Sequence, residues 1–228
     1  MTKVFGGVRA VDKASLSVKE GTVTALIGPN GSGKTTLFNI ITGYLKADAG
    51  RVEFDGRDVT GSDPGRLYRQ GLSRTFQQAR IFPQLTVQEN LVVAGGYGWR
   101  KLFTSRVGRA DRERAASLLE EFRLARISDL FASELSYGQR KLLEFAAVLM
   151  SEPRLVLLDE PTAGVNPVLI ETMERHVRAR NAAGITFLSV EHDLPFVLPL
   201  CDPVLVLDPG RPLPPVTRGR QDLRTGGD

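Results

Sequence analysis

The sequence is poor in features that would place it in a membrane, in an oxidising compartment or on a polyanion. Its 228 residues include one cysteine, Cys201, and a lone cysteine cannot form an internal disulfide, which fits a reducing cytosol. No apolar run approaches the ~18 residues that cross a bilayer, because Arg140 and Glu144 interrupt the richest region. The start, MTKVFGG, has no apolar core of a secretory signal, and no five like charges follow one another. We therefore expect a soluble intracellular domain without a nucleic-acid-binding tail.

What the sequence does contain is the composition of an ordinary globular domain. Hydrophobic residues make up 42% and charged residues 25%, with a net charge of +4, and these fractions are close to the globular average. The length suits one domain, or one domain with a small subdomain set into it. The mild positive charge by itself identifies no partner.

Segments typical of strands and of helices alternate along most of the chain. Short apolar runs rich in β-branched residues are followed by apolar residues at helical spacing. From about Gln84 to Met150 the pattern becomes helical, with an interruption at Gly95–Gly98, so we predict an α/β sheet with a helical insertion. The predicted strands are Val11–Val18, Thr22–Ile27, Arg51–Phe54, Leu155–Leu158, Ile185–Val190 and Val204–Leu207. The predicted helices are Lys34–Thr42, Asp63–Gln70, Thr86–Ala94, Arg109–Arg123, Gly138–Met150 and Pro167–Ala183.

The strongest motif is Gly-Pro-Asn-Gly-Ser-Gly-Lys-Thr, which matches G-x-x-x-x-G-K-[ST] between a predicted strand and a predicted helix. Its glycines let backbone N–H groups face inward as an anion nest, and the helix directs its positive end to the same point. Lys34 would neutralise the β- and γ-phosphates, and the Thr35 hydroxyl would ligate Mg²⁺. A glycine-rich turn without a ligand is the alternative. The predicted phosphate-binding residues are Gly28, Pro29, Asn30, Gly31, Ser32, Gly33, Lys34, Thr35 and Thr36.

Two adjacent carboxylates, Asp159 and Glu160, follow the predicted buried strand Leu155–Leu158. Ligand sites in α/β sheets lie at the carboxyl ends of strands. We expect Asp159 to hold Mg²⁺ through its water shell, and Glu160 to orient and deprotonate the attacking water. Adjacent acids at a strand end are common, so this prediction depends on the glycine loop upstream.

The segment Leu-Ser-Tyr-Gly-Gln at 135–139 resembles the signature of ATP-binding-cassette (ABC) ATPases, whose most frequent form has glycine where Tyr137 stands. Ser136 and the Gly138 amide lie at the start of a predicted helix and form a second anion-binding terminus. The resemblance implies that two cassettes pack head to tail, and that Ser136, Gly138 and Gln139 of each cover the ATP on its partner. A capped helix start without a ligand is the alternative.

Three further positions are identified through the same resemblance. Gln77, in Arg-Thr-Phe-Gln, resembles the glutamine that senses Mg²⁺ and water, and His192, in Val-Glu-His-Asp, resembles the switch histidine that contacts the γ-phosphate. Phe5 resembles the aromatic residue that stacks on adenine. The alternatives are an exposed loop glutamine, a structural histidine and a core phenylalanine. The implied catalytic residues are Glu160, His192 and Gln77, and the implied metal ligands are Thr35, Gln77 and Asp159.

Within this family, the segments Gly71–Gln77, Leu85–Leu91 and Val190–Leu194 look like those of branched-chain amino acid importer ATPases. Relatives that act on urea or short amides are similar. The resemblance implies a Mg²⁺-dependent ATPase, with ATP and Mg²⁺ as cofactors, on the cytoplasmic face of the cell membrane. Its implied partners are integral membrane permease subunits, a second ABC ATPase (identical or paralogous) and, indirectly, a periplasmic or extracellular solute-binding protein. We expect the groove beside Gln77, bordered by Arg80, Ile81, Phe82 and Leu85, to receive a short cytoplasmic helix of a permease. The alternative is that Phe82 and Leu85 close the core of the helical subdomain.

The resemblance covers Lys3 to about Asp208 and implies the P-loop NTPase fold of an ABC ATPase. That fold has a RecA-like core, a small antiparallel β part and an inserted α-helical subdomain. We expect one domain over residues 1–228, with its core at 1–83 and 151–208 and its helical subdomain at 84–150. Residues 209–228 begin with four prolines in seven residues, so an irregular tail is expected.

Other classes of protein fit less well. Soluble cassette proteins of DNA repair or translation usually carry two cassettes or a long coiled coil, and 228 residues suit neither. A GTPase needs the guanine-reading string Asn-Lys-x-Asp, which does not occur, and a small kinase would not need Leu135–Gln139. A cassette that binds ATP without hydrolysing it stays open, because only an activity measurement can exclude it.

Overall fold

The computed structural model describes residues 1–75, 81–96, 108–191, 194–201, 203–208 and 211–212. The strands are β1 (Lys3–Phe5), β2 (Val8–Val11), β3 (Val23–Ile27), β4 (Glu53–Phe54), β5 (Arg57–Asp58), β6 (Leu72–Arg74), β7 (Leu155–Asp159), β8 (Thr186–Val190), β9 (Val204–Asp208) and β10 (Arg211–Pro212). The helices are α1 (Lys34–Ile41), α2 (Pro64–Arg69), α3 (Val87–Ala94), α4 (Arg109–Glu121), α5 (Tyr137–Leu149), α6 (Pro167–Ala182) and α7 (Leu194–Leu200).

A six-stranded sheet in the order β10-β9-β3-β8-β7-β6 forms the centre of the structure. Strands β9, β3, β8, β7 and β6 pair in parallel, and β10 pairs with β9 antiparallel. Parallel neighbours need crossover connections, which the alternating helices supply. The predicted α/β architecture is therefore confirmed, and helices α3 to α5 are inserted in the chain between β6 and β7.

Two hairpins, β1–β2 and β4–β5, supply short antiparallel sheets. The predicted strand Val11–Val18 is wrong, because β2 ends at Val11. Lys13 has a φ of 49°, and this left-handed conformation turns the chain out of the extended region. The backbone N–H of Ala14 then donates to the carbonyl of Met1. The apolar and polar alternation of this segment reflects alternate burial without strand pairing.

Local capping explains where several helices begin. The side chain of Asp63 accepts a hydrogen bond from the Arg66 N–H at the start of α2, and Asn166 accepts one from Leu169 at the start of α6. Thr86 forms a reciprocal capping box at the start of α3, as the sequence indicates. Within the described residues, no helix combines the length and the apolar character needed to cross a membrane.

Two hydrophobic clusters cover the two faces of the central sheet. Val156, Leu158 and Phe187 belong to the cluster that contains residues of α3 to α6, whereas Leu157 and Leu188 belong to the cluster that contains residues of α1. A parallel strand buried on both faces is apolar at consecutive positions. This burial explains the continuous apolar run that ends at the predicted metal ligand Asp159 and the predicted base Glu160.

The expected irregular tail begins with a strand, since Arg211 and Pro212 pair with Asp208 and Leu207 of β9. The expectation that the prolines exclude a strand is therefore wrong at this point. Strand β10 lies at the edge of the sheet, where a proline need not donate to a ladder on both sides.

Candidate nucleotide site

The predicted phosphate loop runs from the end of β3 to the first turn of α1. Gly31 and Gly33 have φ angles of 79° and 94°, which residues with a Cβ rarely adopt. A Cβ at Gly33 would lie 2.2 Å from the carbonyl oxygen of Ala10, and one at Gly28 would lie 2.4 Å from that of Leu207. The loop is therefore packed closely between β2 and β9, and larger residues at these two positions would displace it.

Lys34 begins α1 and directs its ammonium back into the loop. Its Nζ donates to the carbonyl oxygens of Gly28 at 2.7 Å and Pro29 at 2.8 Å. Burial lowers the pKa of Lys34 below its usual value, while the negative charge of Glu160 acts in the opposite direction. Strands β3 and β7 both pair in parallel with β8, so the phosphate loop and Glu160 follow strand ends at one edge of the sheet. Phosphate oxygens could replace the loop carbonyls as acceptors for Lys34.

The other loop side chains differ in exposure. Pro29, Asn30 and Thr35 are exposed, Thr36 is half-buried and Ser32 is buried. Thr35 therefore presents its side chain beside Lys34 in the first turn of a helix, where the unpaired N–H groups and the positive end of the dipole also lie.

Asp159 ends β7 and is buried. Its Oδ2 accepts a hydrogen bond from Nη2 of Arg74 at 2.6 Å, and the backbone N–H of Asp159 donates to Oγ1 of Thr75. Strands β6 and β7 are parallel neighbours, with Arg74 opposite Leu157, so their carboxyl ends meet at one edge. The sequence analysis did not identify Arg74, although an arginine just before Gln77 at this strand end was a usable signal.

Glu160 has a φ of 46°, a left-handed conformation that is uncommon for a residue with a side chain. Two hydrogen bonds hold it, because its N–H donates to the carbonyl of Val190 and its own carbonyl accepts from the Ala163 N–H. Strained backbone of this kind occurs at functional sites when the surrounding structure maintains it. The turn after β7 therefore fixes the direction in which Glu160 leaves the sheet.

A buried carboxylate, Glu191, also holds the loop after Glu160, and it was not predicted from the sequence. Glu191 follows β8 and is fully buried, and it accepts hydrogen bonds from the backbone N–H and the hydroxyl of Thr162. A glutamate directly after an apolar β-rich strand was the available signal.

A buried lysine, Lys141 on α5, is 2% exposed. Burial lowers its pKa, whereas the negative charges of Glu144, Asp159, Glu191 and Glu160 act in the opposite direction. Its position four residues before the buried Phe145 places both on one helix face, and this spacing could have identified it. A cation of the helical region therefore lies near the acidic residues at the ends of β7 and β8.

The predicted signature residues form the start of α5. Ser136 caps the helix through a reciprocal capping box with Gln139, in which Ser136 Oγ accepts from the Gln139 N–H and Gln139 Oε1 accepts from the Ser136 N–H. A Cβ at Gly138 would lie 2.8 Å from Leu169 Cδ2, so this glycine permits close packing against α6. Among the described residues, no hydrogen bond joins Ser136–Gln139 to the phosphate loop of the same chain.

Phe5 ends β1, and its side chain is 48% exposed with Lys3 Nζ 5.5 Å from its ring centroid. The hairpin that carries it contacts the phosphate loop through Ala10 and Gly33. Phe5 is therefore an exposed aromatic ring on the element beside the loop, and its stacking on adenine stays a prediction. Gln77 and His192 lie outside the described residues.

A glycine-rich loop joins a buried parallel strand to a helix that begins with lysine, and two acidic residues lie at the end of β7, two strands away in the sheet. This fold and this loop define a P-loop NTPase.

Comparison with known proteins gives the family within that class. A sequence profile described as "ABC transporter" matches residues 11–163. The probable branched-chain amino acid transport ATP-binding protein LivG of Methanocaldococcus jannaschii is 43% identical over 218 residues, which is 92% of this chain and 85% of that protein. The chain belongs to the ABC transporter family, as its resemblance to ABC ATPases implied, and it is an ATP-binding subunit of that kind.

Solved structures agree with this assignment. An ATP-binding cassette of an ABC transporter in its ADP conformation has a TM-score of 0.84 and 42% identity, covering 95% of this chain and 88% of that one. A dimeric post-hydrolysis ATP-binding cassette bound to ADP and Pi has a TM-score of 0.80 and 27% identity, covering 96% of both chains. The predicted P-loop NTPase fold is thereby confirmed.

Proposed function

We propose that this chain is the Mg²⁺-dependent, ATP-hydrolysing subunit of an importer for branched-chain or related amino acids. The observation that carries the hydrolytic part is that the phosphate loop with Lys34 and the carboxylate of Glu160 follow the carboxyl ends of β3 and β7, which both pair in parallel with β8. A cation that binds the terminal phosphates thus lies at the same edge of the sheet as a carboxylate that can accept a proton from water. The solute class rests on the likeness to the LivG protein of M. jannaschii, 43% identical.

Different residues bind the phosphates, accept the proton and contact the adenine. The backbone N–H groups of the loop and the ammonium of Lys34 bind the phosphates and orient the γ-phosphate. Glu160 takes the proton of the attacking water, and the turn that holds its φ at 46° keeps its direction fixed. Gln77 and His192 are proposed to complete the γ-phosphate contacts, and Phe5 to stack on the adenine.

The donor set at this edge of the sheet fits Mg²⁺. Thr35 is an exposed residue with a hydroxyl in the first turn of α1, and Asp159 has its carboxylate at the end of β7, two strands from β3 in the sheet. Magnesium in phosphate sites takes one or two protein oxygens together with waters and phosphate oxygens. When bound, the ion would neutralise charge on the phosphate oxygens of ATP.

We further propose a head-to-tail dimer in which Ser136, Gly138 and Gln139 cover the partner's ATP. The start of α5 presents a capped helix terminus that bonds within itself and not to its own phosphate loop, among the described residues. A dimeric post-hydrolysis cassette with the same fold supports this assembly. Two identical chains that each offer a loop face and a signature face close by two-fold symmetry.

Contact with membrane permease subunits would place the chain on the cytoplasmic face of the membrane. Phe82 is 52% exposed, so it does not close the core of the helical region. Asn90 is buried and holds the Phe82 backbone by accepting from its N–H at 2.7 Å and donating to its carbonyl at 3.0 Å. An exposed aromatic ring on a backbone held in this way suits a docking loop.

The test uses purified chain and the reconstituted transporter. Glu160→Gln should keep ATP binding and lower hydrolysis ~10²–10⁴-fold, because it removes a positioned base, whereas Lys34→Ala should weaken ATP binding itself. Uptake of radiolabelled leucine by the reconstituted transporter, with urea as competitor, tests the solute class. A hydrolysis rate in Glu160→Gln within threefold of the parent would contradict the proposed base. A transporter that takes up no leucine but takes up urea would contradict the amino acid assignment.

A further inference from the structure

Arg74 joins three parts of the nucleotide site through one guanidinium group. Nη2 donates to Oδ2 of Asp159 at 2.6 Å, while Nη1 donates to Oδ1 of Asn39 at 2.7 Å and to Oγ1 of Thr42 at 3.0 Å. Asn39 lies in α1, and Thr42 directly follows this helix. The guanidinium therefore connects the end of β6, the end of β7 and the helix that begins at Lys34.

The contacts of the Arg74 guanidinium are buried. The side chains of Arg74 and Asp159 are only 5% and 7% exposed, and the guanidinium carbon lies 5.7 Å and 5.9 Å from the ring centroids of Phe38 and Tyr44. Burying an ion pair costs desolvation that its attraction often fails to recover, so such a pair is weak evidence for stability. Its fixed geometry instead favours a role in holding the carboxylate in place.

We propose that Arg74 is a positioning residue for the metal site, and that it holds Asp159 so that the second carboxylate oxygen can meet the water shell of Mg²⁺. This inference rests on the proposed function. The ion pair with Arg74 uses Oδ2 of Asp159, so the guanidinium sets the orientation of the carboxylate. Partners that orient a metal's ligands typically change metal affinity by ~10–100-fold when they are removed.

The test must separate the charge of Arg74 from its geometry, because the two have opposite effects on Mg²⁺ affinity. A guanidinium near the site repels a dication, so Arg74→Met would remove an orienting contact and a repulsion together. Arg74→Lys retains the charge but cannot reproduce the planar fork that reaches Asp159, Asn39 and Thr42 at once. The lysine variant therefore reports the geometric effect by itself.

The experiment measures binding of a fluorescent ATP analogue to the full chain, first in EDTA and then with increasing Mg²⁺. In Arg74→Lys, the Mg²⁺ concentration for half-maximal enhancement of binding should rise about tenfold, while affinity in EDTA should stay within twofold of the parent. Asn39→Ala, which removes one acceptor of the fork without changing charge, should raise this Mg²⁺ concentration about threefold, as expected for the loss of one hydrogen bond. This second variant keeps the test decisive if Arg74→Lys does not fold.

Arg180→Lys is the matched control, since Arg180 pairs with the carboxylate of Glu121 in a partly buried ion pair between α6 and α4. It should leave the Mg²⁺ dependence unchanged even if it lowers the melting temperature. A Mg²⁺ requirement within twofold of the parent in Arg74→Lys and Asn39→Ala would overturn the proposal. So would an equal loss of affinity in EDTA and in Mg²⁺, because it would assign Arg74 to the nucleotide instead of the metal. If the parent shows no Mg²⁺ dependence, the proposed function itself fails.

Discussion

The hydroxyl of Tyr137 donates a hydrogen bond to the carbonyl oxygen of Ala163 at 3.0 Å, which joins the first turn of α5 to the loop that follows Glu160. The Tyr137 ring also packs against this loop, as a Cβ at Gly164 would lie 3.6 Å from Cε1 of the ring. A glycine at position 137, the most frequent residue in this signature, cannot make the contact. In this chain the signature segment and the segment after the proposed base are therefore linked within one subunit.

Tyr137→Phe should lower ATP hydrolysis about two- to fivefold, because one hydrogen bond of ~1 kcal/mol that steadies the loop after Glu160 is lost. ATP affinity should not change, since Tyr137 lies outside the phosphate loop of its own chain. Steady-state hydrolysis and equilibrium nucleotide binding measure the two effects separately. A parent-like turnover rate would show that the link does not influence the proposed base.

The backbone of Glu160 leads to a stability prediction that is independent of catalysis. Left-handed backbone costs a residue with a Cβ ~1–2 kcal/mol relative to glycine, and Glu160 has a φ of 46°. The free energy of unfolding, measured in urea, should therefore be about 1 kcal/mol higher for Glu160→Gly than for Glu160→Ala, although both variants lose the carboxylate. Glu171, exposed within α6, is the matched control, and there alanine should be more stable than glycine by ~1 kcal/mol. The same order at both positions would argue against strain at Glu160.

Local sequence was sufficient to predict most of the fold. Thr86 and Glu89 share a capping box across one helical turn, and the glycine loop needs only its flanking strand and helix to be recognised. Such features depend on residues within a few positions of each other, so one sequence contains all the information. The two acidic residues after Leu155–Leu158 were predicted from the apolar run before them together with the glycine loop upstream.

Contacts between distant segments could not be predicted in the same way. The ion pair of Arg74 with Asp159 spans 85 positions and depends on β6 lying next to β7, an order that hydrophobic periodicity does not reveal. The error at Val11–Val18 has a different cause, because alternate burial is typical of a strand, while the φ of 49° at Lys13 has no marker in its residue type. Strand β10 depends on pairing with β9, which outweighs the proline content at a sheet edge.

Gly33→Ala should abolish ATP binding and destabilise the chain by ~2 kcal/mol or more. Its φ of 94° is unfavourable for alanine, and the added Cβ would lie 2.2 Å from the carbonyl oxygen of Ala10, so either the loop or β2 has to move. Gly184 separates the two effects, because its φ is 100° but nothing lies within 4 Å of a Cβ there. Gly184→Ala should cost only ~1 kcal/mol and leave ATP binding intact. Urea unfolding and nucleotide titration of both variants test this, and normal ATP affinity in Gly33→Ala would contradict the loop assignment.

His176 should make the stability of the chain sensitive to acid. Its ring stacks on Phe122, with the centroids 4.0 Å apart, and its Nδ1 lies 3.3 Å from Oε1 of Glu121. Burial is the largest effect and lowers the pKa of His176 below its usual 6.5, as do the positive charges of Arg175 and Arg180, while Glu121 opposes them. The unfolded chain therefore binds this proton more readily than the folded chain. Stability from the neutral ring is complete above pH ~6.5 and is lost as the pH falls from there through the folded-state pKa.

The measurement is the difference in unfolding free energy between pH 7.5 and pH 5.5 for the parent and for His176→Phe, which keeps an aromatic ring against Phe122. The parent should lose more stability than the variant over this interval, because only the parent has the buried imidazole of His176 to protonate. Carboxylates titrate in both chains, so comparing the two losses cancels most of their contribution. Equal losses would show that the imidazole is protonated as readily in the folded chain as in the unfolded one. A larger loss in the variant would mean that the protonated ring gains more from Glu121 than burial costs it.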